Sequence, residues 1–203
     1  MELDYLNKKK LEILLGKLKW PANLNDKLEQ YFTDPGIASS ILFRAYLNGD
    51  IHNKVVADLG AGYGIFAYGS AVLGARETYA IEVDSNLVRA INENCSGLNV
   101  TTIQKEVAEF TRKVDTVIMN PPFGSVIKHS DLKFLQSAVT IARRIYSIHN
   151  ERSLTFIQNF YHRYGRIIEK YHVDFILKRQ YDYQERDYAT IPAVFLVVDI
   201  RGR

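Results

Sequence analysis

Short apolar runs alternate along this chain with stretches whose apolar residues return at helical spacing. Lys54-Val55-Val56-Ala57-Asp58, Thr78-Tyr79-Ala80-Ile81-Glu82 and Asp115-Thr116-Val117-Ile118-Met119 have the length and β-branched or aromatic content of buried strands. An apolar helical run leads from the first of them to Leu73, and Asn99 to Gln104 reads as a short third strand at a sheet edge. The last strands are predicted over Val173 to Arg179 and Ala193 to Arg201. Helices are predicted near 2–19 and 35–48, the second entered through Thr33 or Asp34 as a cap ahead of Pro35. Leu154, Ile157, Tyr161, Tyr164, Ile168 and Tyr171 recur at three- and four-residue steps, so Glu151 to Lys170 reads as one amphipathic helix. Strands alternating with helices predict an α/β fold with a doubly wound, mostly parallel sheet, whose ligands sit at the carboxyl ends of the strands.

At 203 residues and 47% hydrophobic, the chain can bury one such core. It reads as one structural domain, with a helical segment over 1–50 packed on a main part over 51–203. A single cysteine, Cys95, excludes an intrachain disulfide and a Cys-based zinc site. The five histidines lack ligand spacing, and His149 and His162 read as partly buried or surface groups. No apolar run reaches membrane-spanning length and Met1-Glu2-Leu3-Asp4 is no signal peptide, so a cytoplasmic location is expected. A net charge of +3 is too mild to identify a nucleic-acid binder. The cluster Lys8-Lys9-Lys10 is the candidate contact to phosphates, although basic runs on helices are more often solvated faces.

Two motifs carry chemistry. Asp58-Leu59-Gly60-Ala61-Gly62-Tyr63-Gly64 follows the first strand and opens a helix, as in a nucleotide-binding βαβ unit. A dinucleotide site wants a third glycine where this chain has Ile65. The acid at the strand end suits a ligand with a cationic amino group and no phosphate. Glu82 ends the second strand about twenty residues beyond the glycines, where a carboxylate grips ribose hydroxyls. Aminated, ribosylated and free of phosphate describes S-adenosylmethionine.

The second motif, Asn120-Pro121-Pro122-Phe123, ends the strand that begins at Asp115. Neither proline has an N–H to continue a ladder. The Asn120 amide oxygen and the carbonyl of Pro121 or Pro122 can accept the two hydrogens of an exocyclic amine, and Phe123 can stack on the ring that bears it.

These residues resemble the archaeal and eukaryotic methyltransferase-like proteins that methylate the N6 amino group of an adenosine in small-subunit ribosomal RNA. The resemblance is carried by Glu29-Gln30-Tyr31-Phe32-Thr33, Val55 to Gly60, Asp115 to Gly124 and Tyr146-Ser147-Ile148-His149, in family order. It implies a Rossmann-like, seven-stranded sheet of the class I methyltransferase type with N-terminal helices. It further implies that Gln30, Tyr31 and Thr33 close over the methionine end of S-adenosylmethionine, that Asp58, Gly60 and Gly62 bound its amino acid moiety, and that Glu82 holds the ribose. Glu106, where the family commonly has Asp, and Val107 would meet the cofactor adenine, with Asn120 at the methyl. Family members work with a small zinc-ribbon activator protein, for which the edge strand 99–104 is the expected docking site. The Asn-Pro-Pro-Phe motif is shared with DNA adenine methylases and protein glutamine-N5 methyltransferases. Those substrates, and a non-catalytic scaffold, are the alternatives.

Overall fold

The computed structural model describes residues 6–21, 32–123, 131–178 and 188–201. Seven strands form one sheet: β1 (Val55–Leu59), β2 (Glu77–Glu82), β3 (Val100–Gln104), β4 (Val114–Met119), β5 (Ala142–Asn150), β6 (Gly165–Lys178) and β7 (Tyr188–Ile200). Their order is β3-β2-β1-β4-β5-β7-β6; β1 to β5 run parallel, and β7 is antiparallel to both its neighbours. The central strands are nearly continuous apolar runs because helices cover both their faces. At the edge β3 is half-exposed, and threonines suffice there.

Among the described residues six α-helices flank the sheet. On one face α1 (Lys8–Leu15), α2 (Pro35–Leu47), α3 (Ile65–Val72) and α4 (Ser85–Asn94) bury Leu11, Ile41, Phe66 and Leu87 against Val56, Ile118, Tyr146 and Phe195. On the other, α5 (Leu132–Ile141) and α6 (Leu154–Tyr161) cover Val117, Met119, Ile145 and Leu196. Helix α2 begins where Asp34 accepts from the Gly36 and Ile37 amides at 2.8 and 3.1 Å, with Pro35 in its first turn. Asp84 caps α4 in the same way.

The single helix expected over 151–170 is two elements. A 3-10 turn at Glu151–Ser153 leads into α6, which ends at Tyr161, and β6 starts at Gly165. A Cβ at Gly165 would lie 2.1 Å from the Asp199 carbonyl oxygen, so the chain can pass β7 there only without a side chain. A bulge between Ile167 and Glu169 inserts one residue into the strand. That extra residue stretches the two-residue period to three, and the apolar spacing therefore imitates a helix. Leu154, Ile157 and Tyr161 do face the core, whereas Tyr164, Ile168 and Tyr171 are exposed.

The hairpin of β6 and β7 outruns the rest of the sheet. The last pair of β5 joins Asn150 to Ala193, but β6 and β7 stay paired from Asp174↔Pro192 through Lys178↔Tyr188. Those further pairs carry a two-stranded arm about 17 Å past the carboxyl end of β5.

Candidate active site

Strand register brings the two motifs together. Leu59 of β1 lies beside Met119 of β4 and Ile81 of β2, so Gly60, Asn120 and Glu82 leave three adjacent strands at the same edge. Neighbouring strands are about 4.8 Å apart. The sequence order of the strands reverses between β1 and β4, and a cleft opens at such a reversal.

Asn120 is held on one side and free on the other. Its Nδ2 donates to Thr33 Oγ1 at 3.1 Å, and the Thr33 carbonyl accepts the Tyr63 hydroxyl at 3.1 Å. Thr33 and Tyr63 are buried at 5% and 2% exposure, so the amide is clamped by the segment before α2 and by the glycine turn. The remaining atom, Asn120 Oδ1, is buried and has no hydrogen-bond partner among the described residues. A buried unpaired acceptor costs about 1–3 kcal/mol. Such a cost is sustained where a ligand supplies the missing donor.

The glycine turn is tied to β2. Gly60 and Ala61 amides donate to the Ile81 carbonyl at 2.9 and 3.0 Å, and the Gly62 amide donates to Glu82 Oε2 at 2.9 Å. The other Glu82 oxygen accepts from Val83 and Asp84 amides at 2.8 and 3.0 Å. Gly60 combines a φ of +70° with a close neighbour, since a Cβ there would meet the Phe134 ring at 2.7 Å. At Gly62 a Cβ would meet nothing within 4 Å, which leaves room above the turn. Asp58 is buried beneath the turn, with Oδ2 accepting from the Ala67 amide in α3 at 2.9 Å and Oδ1 without a partner among the described residues. Burial pushes the Asp58 carboxyl up to about 8, against the pull of the Ala67 amide and with a further push from Glu82. Burial also raises Glu82, opposed by its amide donors. Two buried carboxyl groups, an open turn and an orphaned amide oxygen fit a donor that carries an ammonium, a sulfonium and ribose hydroxyls, the ammonium favouring ionisation of the carboxyl it meets.

The other predicted residues are placed as follows. Val107 is buried in a 3-10 turn after β3, and half-exposed Glu106 pairs with Lys133 at 2.6 Å. Pro121 is buried, Pro122 is partly exposed, and partly exposed Phe123 packs against the core beneath α1 to α4. Gln30 and Tyr31 lie outside the described residues. The residues on either side of that stretch, Trp20 and Phe32, both pack on the Tyr63 ring, at 4.7 and 5.5 Å between centroids.

Three further residues shape the site and had no role assigned from the sequence: Tyr63, which lies within the glycine motif, Phe134 and Asn94. Asn94 donates to the Tyr63 and Lys19 carbonyls at 2.9 and 3.0 Å and accepts from the Lys19 amide. A tyrosine inside a glycine turn was the one available signal. His149, expected as a partly buried or surface group, is fully buried at 2% exposure in β5 beside Tyr161. Burial pushes its imidazole down to about 3, so it is neutral at pH 7.

A family model described as the methyltransferase small domain matches residues 33–176. The uncharacterized protein MJ0284 of Methanocaldococcus jannaschii is 35% identical, over 97% of this chain and 96% of that one. The rRNA N(6)-adenosine-methyltransferase METTL5 of Danio rerio is 38% identical, over 64% of this chain and 68% of that protein. A crystal structure of a proposed RNA methyltransferase from Pyrococcus horikoshii superposes with a TM-score of 0.89 at 37% identity, covering 96% of this chain and 98% of that one. The sheet order, the paired strand-end motifs and these matches agree: the chain belongs to the methyltransferase small domain family, whose methyl donor is S-adenosylmethionine.

Proposed function

We propose that this protein transfers a methyl group from S-adenosylmethionine to the N6 amino group of an adenosine in RNA, small-subunit ribosomal RNA above all. The observation that carries this reading is the buried, unpartnered Asn120 Oδ1 beside the glycine turn. The relatives named as rRNA N(6)-adenosine methyltransferases support the choice of substrate.

S-adenosylmethionine supplies an electrophilic methyl on a sulfonium that departs as a neutral thioether. Gly62 leaves room for its amino acid end and Gly60 bounds it beside Phe134, with the Asp58 and Glu82 carboxyl groups nearby and Glu82 assigned to the ribose. Glu106 and Val107, at the turn after β3, are assigned to the adenine, and Gln30 and Tyr31 to the methionine end. Thr33 acts through Asn120, by fixing the amide's orientation.

An adenine amine is a weak nucleophile because its lone pair is delocalised into the ring. Asn120 Oδ1 and a prolyl carbonyl from Pro121 or Pro122 accept its two hydrogens, which favours a pyramidal nitrogen with the lone pair toward the methyl. Phe123 stacks on the base and offsets part of the few kcal/mol that unstacking costs. Positioning of this kind contributes about 7–11 kcal/mol. The same acceptors stabilise the ammonium that forms, and its extra proton leaves to water, so no dedicated base is needed.

Residues 1–50 serve as a wall of this site, since Thr33 reaches it directly. A zinc-ribbon activator adds a strand to the free edge of β3, and the protein works in the cytoplasm. Among the described residues no helix is long and apolar enough to cross a membrane.

The deciding experiment measures methyl transfer to ribosomal subunits, total tRNA, DNA and a release factor, with the activator present. Methylation at adenine N6 of small-subunit RNA is expected, and Asn120→Ala should lose nearly all turnover while still binding the donor. Transfer to DNA or release factor alone would replace the substrate assignment, and normal turnover of Asn120→Ala would remove the role given to the amide.

A further inference from the structure

A groove of about 500 Å³ runs along α2 between its exposed flank and the base of the β6–β7 arm. That volume is in the range of sites that hold a compact organic ligand. Its near end is Asp34, next to the Thr33 that holds Asn120, so the groove starts at the rim of the proposed active site. It continues past Ile37 and Ser40 to Arg44, about 15 Å of helix. The floor is aromatic: Tyr171 and Phe195 face each other across the hairpin with parallel rings, 6.0 Å between centroids, and Tyr171 is 40% exposed.

The charges around the groove do not all cancel in place. Asp34 Oδ1 is engaged by the amides at the start of α2. Arg44 pairs with Glu169 at 3.4 Å and lies 5.4 Å from the Tyr171 ring centre, while the Tyr171 hydroxyl donates to Glu169 at 2.8 Å. Lys9, pointing elsewhere, pairs with Glu12. Lys8 instead rests on the neutral Ser40 hydroxyl at 3.1 Å and has no ion pair among the described residues. Among the described residues the groove thus presents one positioned ammonium without an ion pair, Lys8, beside a flat apolar surface, with the Asp34 carboxylate at its near end.

We propose that this groove binds a nucleotide of the RNA next to the methylated adenosine, with Lys8 on a phosphate and Tyr171 against a base. The proposal rests on the RNA-methylation reading above. A cation and a stacking ring, continuous with the catalytic rim, match a backbone phosphate and its base.

The test uses the full chain, in vitro transcribed small-subunit ribosomal RNA and labelled S-adenosylmethionine, with KM for each substrate measured across a salt series. Lys8→Gln should lower the slope of log affinity against log salt by about 0.7–0.9. Tyr171→Leu should raise the RNA KM about tenfold, with the KM for the donor unchanged. Tyr171→Phe, which keeps the ring, should restore RNA affinity, which separates stacking from a folding defect. If wild type methylates the RNA but Lys8→Gln and Tyr171→Leu match it in KM and slope, the groove assignment alone falls. If wild type methylates no RNA, the functional reading falls and takes the groove with it. Loss of binding to a protein partner with RNA affinity intact would mark the groove as a protein surface and overturn the proposal.

Discussion

Asp58 gives the protein a pH dependence that can be measured on a single side chain. Its carboxyl is raised from 3.8 to about 8 by burial. Between these values the folded state holds a proton that the unfolded chain has released, so this carboxyl's contribution to stability is fully present below about pH 4 and is lost as pH rises toward 8. Asp58→Asn keeps an oxygen acceptor for the Ala67 amide and removes the ionisation. Ligand-free Asp58→Asn should therefore melt higher than wild type at pH 8, with the difference shrinking toward pH 4. Its affinity for S-adenosylmethionine should fall at pH 8 and above, where the wild-type carboxyl ionises and puts a negative charge near the donor's amino group. Equal melting temperatures at pH 8, by calorimetry, would show that the buried carboxylate costs nothing.

The element that most directly tests the assembly proposal is β3. Its Lys105 amide donates to the Glu82 carbonyl at 3.1 Å. Amides two residues apart lie on the same side of a strand, which puts the Thr102 N–H on the outer, unpaired side. Thr102→Pro should thus remove a donor needed for strand addition while sparing the ladder to β2. We expect loss of the zinc-ribbon complex in size-exclusion chromatography with little change in melting temperature. A complex that survives would place the activator on another surface. Elements also show where periodicity misled: β6 carries a bulge at Ile167/Glu169 that turns a strand's alternation into a helix-like step.

For the molecule as a whole, a donor that binds only the folded state stabilises it by mass action. At a hundredfold excess over Kd the gain is about 2.7 kcal/mol. For a chain of this size that corresponds to a rise of about 5–10 °C. S-adenosylmethionine should produce it in both wild type and Asn120→Ala, since the amide is assigned to the acceptor amine. A wild type that shows no shift at saturating donor would contradict the cofactor site. At the same scale α1 and α2 share one core with the sheet, and Thr33, just ahead of α2, hydrogen-bonds Asn120.

The central strands, the glycine turn and the Asn-Pro-Pro-Phe strand end were legible without a structure, because local rules decide them: apolar runs make buried strands, a positive φ at Gly60 demands glycine, and prolines end a ladder. Legibility stopped where one residue's state depends on another far along the chain. Thr33 and Asn120 are 87 positions apart, and only packing of the pre-α2 segment on Tyr63 joins them. His149 reads as a partly buried or surface group until β7 and the helix layers enclose β5. The groove under α2 exists because the helices on that face leave the outer hairpin partly uncovered. Local sequence thus chose the reacting groups, and long-range packing, which balances burial against hydrogen-bond satisfaction over the whole chain, set how they face one another.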